Sequence, residues 1–209
     1  MFTTMIEEFP GVDHIFIGEA EETLPQFVAD WHNGCPQKRY KGTERPSLSL
    51  TPIPDWSLIR LSDYATMPVQ YSRGCPFDCE FCDIITIFGR VPRVKTEEQI
   101  INELSSLYDY GWRRSVFFVD DNFIGNKLHV KKLLRRLRGW LQERGFPFRF
   151  ITEASVNLAQ DEELMALMQQ ANFFKVFLGI ESPDPASLEE CQKVQNVKID
   201  LGWAVRTIH

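Results

Sequence analysis

The sequence predicts an α/β fold built on a parallel sheet, and three observations carry that prediction. Short, almost wholly apolar runs alternate with amphipathic stretches from residue 68 onward. Such runs are strands buried on both faces, and their alternation with helices makes βαβ units with right-handed crossovers. Polar residues close each run, which gathers them at the carboxyl rim of the sheet, where these folds carry their functional groups.

Taken in order, "VDHIFIG" reads as a short buried strand. The "EAEETLPQFVADWH" that follows sets Leu24, Phe27, Val28 and Trp31 at helical spacing. This single strand–helix unit is too small to fold as a domain. Residues 33–68 carry Pro36, Pro46, Pro52, Pro54 and Pro68 with little periodicity and read as an extended linker. "PVQYS" is a short strand leading into a cysteine-rich loop. Thr96 opens a helix with the capping box T-E-E-Q and the stripe Ile100, Ile101, Leu104, Leu107 and Tyr108. "SVFFVDDN" is a second strand, and the helix of about 127–143 buries Leu133, Leu134, Leu137, Trp140 and Leu141. "FRFITEAS" is a third strand, and Asp161 caps a helix with Leu164, Leu167 and Met168. "FKVFLGIES" is a fourth strand, and a last helix begins near Pro185. The rim of these four strands receives the cysteine loop, then Asp120, Asp121 and Asn122, then Glu153 and Ser155, then Glu181 and Ser182.

Composition bounds the function. Hydrophobic residues make up 44% of the 209, enough for a core, and the net charge of -6 argues against nucleic acid as the main partner. No apolar run approaches the roughly 20 residues of a transmembrane segment. "MFTTMIEEFPG" lacks the features of a signal peptide. Five cysteines, an odd number without an export signal, suit a reducing compartment, so the expected location is cytoplasmic.

The stretch "YSRGCPFDCEFCDI" places Cys75, Cys79 and Cys82 within eight residues, with Cys35 and Cys191 far off in sequence. Buried structural thiols would have to crowd one short window by coincidence. A structural zinc site wants four ligands, and so does an electron-transfer cluster of ferredoxin type. A cluster held by three thiolates keeps one iron open, as catalysis or substrate chelation requires.

CxxxCxxC after a first strand, heading repeated βα units, resembles the radical S-adenosylmethionine (SAM) superfamily. The resemblance implies a partial (β/α) barrel of radical SAM type, with about four βα units present. It implies a [4Fe-4S] cluster on Cys75, Cys79 and Cys82, with SAM chelating the fourth iron. Reductive cleavage of SAM to methionine and a 5′-deoxyadenosyl radical would follow, for modification of an unactivated carbon. Phe81 matches the family's aromatic residue near the adenine. Asp120, Asp121 and Asn122 fall where the family meets the SAM amino group, and Glu181 and Ser182 where it binds the ribose. Glu153, Ser155 and Asn157 could serve SAM or substrate. "FFVDDNFIGN", "TEASVNLA" and "FLGIES" narrow the resemblance to the branch with an N-terminal cobalamin-binding domain, the neighbourhood of the hopanoid C-2 methylases. Methyl transfer to a small-molecule or lipid-like substrate is then the leading reaction, with an electron donor such as reduced flavodoxin or ferredoxin.

"VDHIFIGEAEETLP" is similar to the last strand and helix of that doubly wound cobalamin domain. The expected organisation is therefore a remnant of it over 1–33, a Pro-rich linker over 34–67 and an incomplete radical SAM core over 68–209. Cobalamin is an expectation for full-length relatives; "DHIFIG" is not a D-x-H-x-x-G loop, and no residue here, His14 included, is assignable as a cobalt ligand. Four units where the family has six make the chain read as a fragment, whose fourth strand would present an unpaired apolar edge. The alternative to catalysis is a non-catalytic iron–sulfur module. Arg90, Arg93 and Lys95 could pair with a carboxylate or form a solvated basic loop. The cations of "KKLLRRLRGW" read as the outer face of a helix and not as a nucleic-acid surface.

Overall fold

The structure, a computed structural model, describes residues 11–42 and 45–209. The signal-peptide reading of the opening stretch falls on residues that, up to Pro10, lie outside that range. The described chain divides between Pro52 and Ile53 into two compact units.

In the first unit, β1 (Ile15–Ile17) and α1 (Ala20–His32) are followed by β2 (Arg39–Lys41), which pairs parallel to β1 with Phe16 opposite Tyr40. A second strand thus lies inside the stretch read as linker. Arg-Tyr-Lys alternates over only three residues, too few to register as a period of two. What holds it is Tyr40: its ring stacks on Phe16 at 5.4 Å, and its hydroxyl donates to Asp30 (3.0 Å) and accepts the Gln37 N–H (2.8 Å). Phe27 of α1 packs edge-on against both rings, while Leu24, Val28 and Trp31 remain exposed. The His14 Nδ1 lies 2.7 Å from the Gln37 carbonyl oxygen, and its ring packs on Phe27.

The second unit carries a four-stranded sheet ordered β3 (Met67–Val69), β6 (Ser115–Phe118), β7 (Arg149–Ala154), β8 (Phe173–Leu178), all parallel. Its crossovers are α3 (Glu97–Asp109), α4 (Lys127–Glu143) and α5 (Glu162–Gln170). Each starts as its sequence requires. Thr96 and Gln99 exchange the two bonds of a capping box at 3.0 and 3.2 Å, and Asp161 accepts the Leu164 N–H at 3.1 Å. Leu133, Leu134, Leu137 and Leu141 of α4 are fully buried, while Leu128 in its first turn is exposed. Its cations pair with the neighbouring helices instead of forming a basic surface: Lys131 with Asp161 and Glu163 (both 2.8 Å), Arg135 with Glu163, Arg136 with Glu98 (2.9 Å).

Met67, Val69, Val116, Phe118 and Phe150 point to the helices and are buried. Rings of Phe118, Phe123, Phe150 and Phe173 meet at 5.2 to 5.7 Å across β6, β7 and β8. Alternation sends Phe117, Ile151 and Glu153 to the opposite face, and a register shift in the β7–β8 pairing after Phe150 brings Phe177, paired with Glu153, to that face as well. Among the described residues β8 is one edge of the sheet, as the sequence led us to expect, with Phe174 and Phe177 exposed. No helix of the described residues is long and apolar enough to cross a membrane.

Candidate functional site

The cysteine loop grows out of β3. The sequence suggested one strand through Ser72, but it stops at Val69. The N–H groups of Tyr71 and Ser72 go to the carboxylate of Asp120, the former at 3.2 Å, so they leave the ladder. β4 (Ser72–Arg73) then pairs antiparallel with β5 (Arg93–Val94), closing residues 74–92 into a loop that contains α2 (Ile84–Phe88). Gly74 makes the turn before the first cysteine at φ +100°, and a Cβ there would sit 2.8 Å from the Gly89 carbonyl oxygen. The Cys75 N–H donates to that same oxygen at 3.2 Å, and the Cys82 N–H to Cys79 O at 3.1 Å.

Cys75, Cys79 and Cys82 are free thiols that line one wall of a cavity of about 150 Å³. Enclosed small-molecule sites start at about 300 Å³, so a ligand of that size lies partly across the mouth of this one. Facing the thiols are Asp121 and Asn122 beyond β6, and Glu153 and Ser155 at the end of β7. Glu181, Lys193 and Gln195 come from beyond β8, and Phe77, Phe81 and Phe177 add aromatic faces to the lining.

Three expected site residues, Asp120, Asn157 and Ser182, are not among the lining residues. Asp120 is buried under the loop, where it serves the Tyr71 and Ser72 amides, and burial pushes its carboxyl up to about 7. With its carboxylate held by those amides it is absent from the cavity lining, and its neighbour Asp121 lines the cavity instead. Ser182 turns to accept the Asp184 N–H at 3.1 Å and is not among the lining residues. Asn122 is present in an unexpected role. Its Oδ1 takes the Ser155 N–H at 3.3 Å, which aims its Nδ2 at Cys75 Sγ, 3.8 Å away. The Ser155 hydroxyl donates to Asn157 at 2.7 Å.

Phe77, Phe177, Lys193 and Gln195 were missed. The last two belong to α6 (Pro185–Glu190), α7 (Val194–Val197) and the turn between them, which folds back onto the cysteine loop: the Glu80 N–H donates to Cys191 O at 3.0 Å. No periodicity announces that return. Lys193 pairs with Glu181 at 2.8 Å and lies over the Phe81 ring at 5.4 Å. Glu181 holds a φ of +63°, a conformation that costs energy for a residue with a Cβ. Gly179 makes room for the pair, since a Cβ there would meet both Glu181 Oε1 and Lys193 Nζ at 2.8 Å. Of the cations beyond the loop, Lys95 is buried against Glu103 at 2.7 Å and Arg90 reaches Asp78 at 3.6 Å.

Burial raises the Cys75 thiol, and the neighbouring Cys79 and Cys82 add to the rise, while the Phe77 amide and Asn122 oppose it. Cys75 therefore needs a cationic centre to hold it as a thiolate. Among the described residues no three His, Cys, Asp or Glu side chains converge on a single metal ion. Three thiols spread around one cavity wall, two of them met by amide donors, suit a polynuclear iron–sulfur cluster and not a lone ion. Burial and the charge of Asp121 both raise the carboxyl of Glu153, so the wall opposite the thiols holds like charges that a cation would relieve.

The protein-family description "Radical SAM superfamily" matches residues 69–209. An uncharacterized methyltransferase of Synechocystis is 52% identical over 198 residues, covering 95% of this chain and 37% of its own length. The hopanoid C-2 methylase of Rhodopseudomonas palustris is 41% identical over 204 residues, covering 96% of this chain and 39% of its own. The chain thus spans under half the length of these curated relatives. Among solved structures, the cobalamin-dependent SAM radical enzyme OxsB, with aqua-cobalamin and SAM bound, matches 91% of this chain and 31% of its own, with a TM-score of 0.69 at 18% identity. The radical SAM methyltransferase TsrM of Kitasatospora setae, with cobalamin and a [4Fe-4S] cluster bound, matches 68% of this chain and 28% of its own, with a TM-score of 0.59 at 19% identity. Both share the fold.

Proposed function

We propose, for a chain that belongs to the radical SAM superfamily, that the whole protein cleaves SAM reductively and transfers a methyl group to an unactivated carbon. The observation that carries this reading is the pairing, in one cavity, of three free thiols with a wall of opposite and complementary charges. Cys75, Cys79 and Cys82 would hold a [4Fe-4S] cluster, which when bound supplies one electron to SAM. The remaining lining fits a zwitterion that carries a sulfonium. Lys193 offers a cation for a carboxylate, and Asp121 and Glu153 offer acceptors for an ammonium group. Glu181 offers carboxylate acceptors for a ribose diol. Phe81, more than half exposed at the cavity mouth, presents a face for an adenine. The relative named for a hopanoid, together with exposed Phe177 on the wall, supports a lipid-like substrate. We place the protein in the cytoplasm, reduced by a flavodoxin or ferredoxin, with cobalamin held by the whole protein outside the residues assigned here. The domain reading over 1–33, 34–67 and 68–209 is part of the same proposal.

The test is the electron paramagnetic resonance signal of the reduced, reconstituted chain with and without SAM. SAM is expected to change the signal, because it occupies the open iron. An unchanged signal would favour the second reading, a cluster-binding module without turnover.

A further inference from the structure

The turn after α6 touches the cysteine loop at three consecutive residues. The Glu80 N–H donates to Cys191 O at 3.0 Å, Lys193 lies over the Phe81 ring, and Gln195 Nε2 donates to Cys79 Sγ at 3.5 Å. The turn is itself fixed to the end of β8. Buried Asn196 donates through Nδ2 to the carbonyls of Gly179 (2.9 Å) and Ile180 (3.0 Å), and Lys193 holds Glu181. Gln195 is therefore held in place, and its amide is only half used: Oε1 is buried without a partner. A buried, half-satisfied amide costs stability that an apolar side chain of the same shape would not. Its donor is spent on one sulfur.

We propose that Gln195 is a positioning residue that tunes the cluster through Cys79, acting with Asn122, whose Nδ2 meets Cys75 from the opposite strand end. Hydrogen bonds to ligating sulfurs draw electron density from them and stabilise the reduced cluster, which carries one more electron. Two of the three thiolates would then be partly neutralised by neutral amides, and Cys82 has no such donor among the described residues. These bonds make the cluster easier to reduce by an external one-electron donor without adding a formal charge at the sulfurs. This rests on the cluster assignment above.

The experiment is the midpoint potential of the anaerobically reconstituted full chain, without SAM, for wild type, Gln195→Leu and the isosteric Gln195→Glu. Removing the donor should shift the potential to more negative values in the Leu variant. The carboxylate should shift it at least as far, with iron content unchanged in both. Wild-type potentials in both variants would overturn the inference while leaving the cluster assignment standing. A variant that folds but loses the cluster would also overturn it, because tuning does not build the site. A wild-type chain that forms no cluster overturns this inference and the assignment together.

Discussion

The floor beneath the cysteine loop and the mouth above it use the same chemistry to different ends. Each holds a lysine–carboxylate pair of nearly equal length, Lys95–Glu103 at 2.7 Å and Lys193–Glu181 at 2.8 Å. The first pair is sealed, its side chains 4% and 5% exposed; in the second, Glu181 is 39% exposed. The consecutive Asp120 and Asp121 repeat the contrast, one buried on loop amides and one lining the cavity. Below the loop, polar groups are consumed by the protein itself and fix where the thiols stand. Above it, each charge keeps a side for something else.

Breaking the floor pair should do the most damage. Lys95→Ala or Glu103→Ala leaves one charge buried and alone, and should cost about 3–5 kcal/mol by chemical denaturation. The double variant Lys95→Met/Glu103→Leu should recover most of that loss, since a packed apolar pair replaces a desolvated one. Single variants that lose under about 1 kcal/mol would erase the distinction between floor and mouth.

Asp120 comes next. Asp120→Ala strands two buried amides at about 1–3 kcal/mol each. Its pH dependence has a definite sign. The carboxyl is raised from 3.8 to about 7 in the folded chain, so folding favours its protonated form. That contribution is complete below the unfolded value and is lost as pH rises through the folded one. Stability should therefore fall between about pH 4 and pH 7, and Asp120→Asn should flatten that slope. A slope of the opposite sign, or one the variant does not change, would show that the floor is not what titrates.

At the mouth, Lys193→Gln removes a buried cation but leaves Glu181, 39% exposed, able to meet water, so it should cost less stability than breaking the floor pair. It should nevertheless weaken SAM binding about tenfold or more, the loss of a charge-assisted hydrogen bond. Equilibrium binding to the reconstituted chain checks this. Unchanged affinity with a large stability loss would move Lys193 to the floor.

Much of this was legible in the sequence. The alternation from residue 68 pointed to a parallel sheet, the Thr96 box to the start of α3, and the cysteine spacing to the heart of the site. What was not legible depended on long-range partners. β2 exists because Tyr40 finds Phe16 and Asp30, which three residues cannot announce. Asp120 and Asp121 look equivalent until the loop amides of Tyr71 and Ser72 claim the first. Lys193 and Gln195 reach the thiols only because a turn some 110 residues later in sequence folds back over the loop, as the separation of 116 residues between Gln195 and Cys79 records.

The central claim is that Cys75, Cys79 and Cys82 together hold one polynuclear cluster. Anaerobic reconstitution followed by iron and sulfide analysis, on wild type and Cys79→Ala, tests it most directly. The wild-type chain should carry about four iron and four sulfide, by the cluster type these ligands imply, and the variant should lose them. A full cluster in Cys79→Ala, or a single metal ion in the wild type, would contradict it.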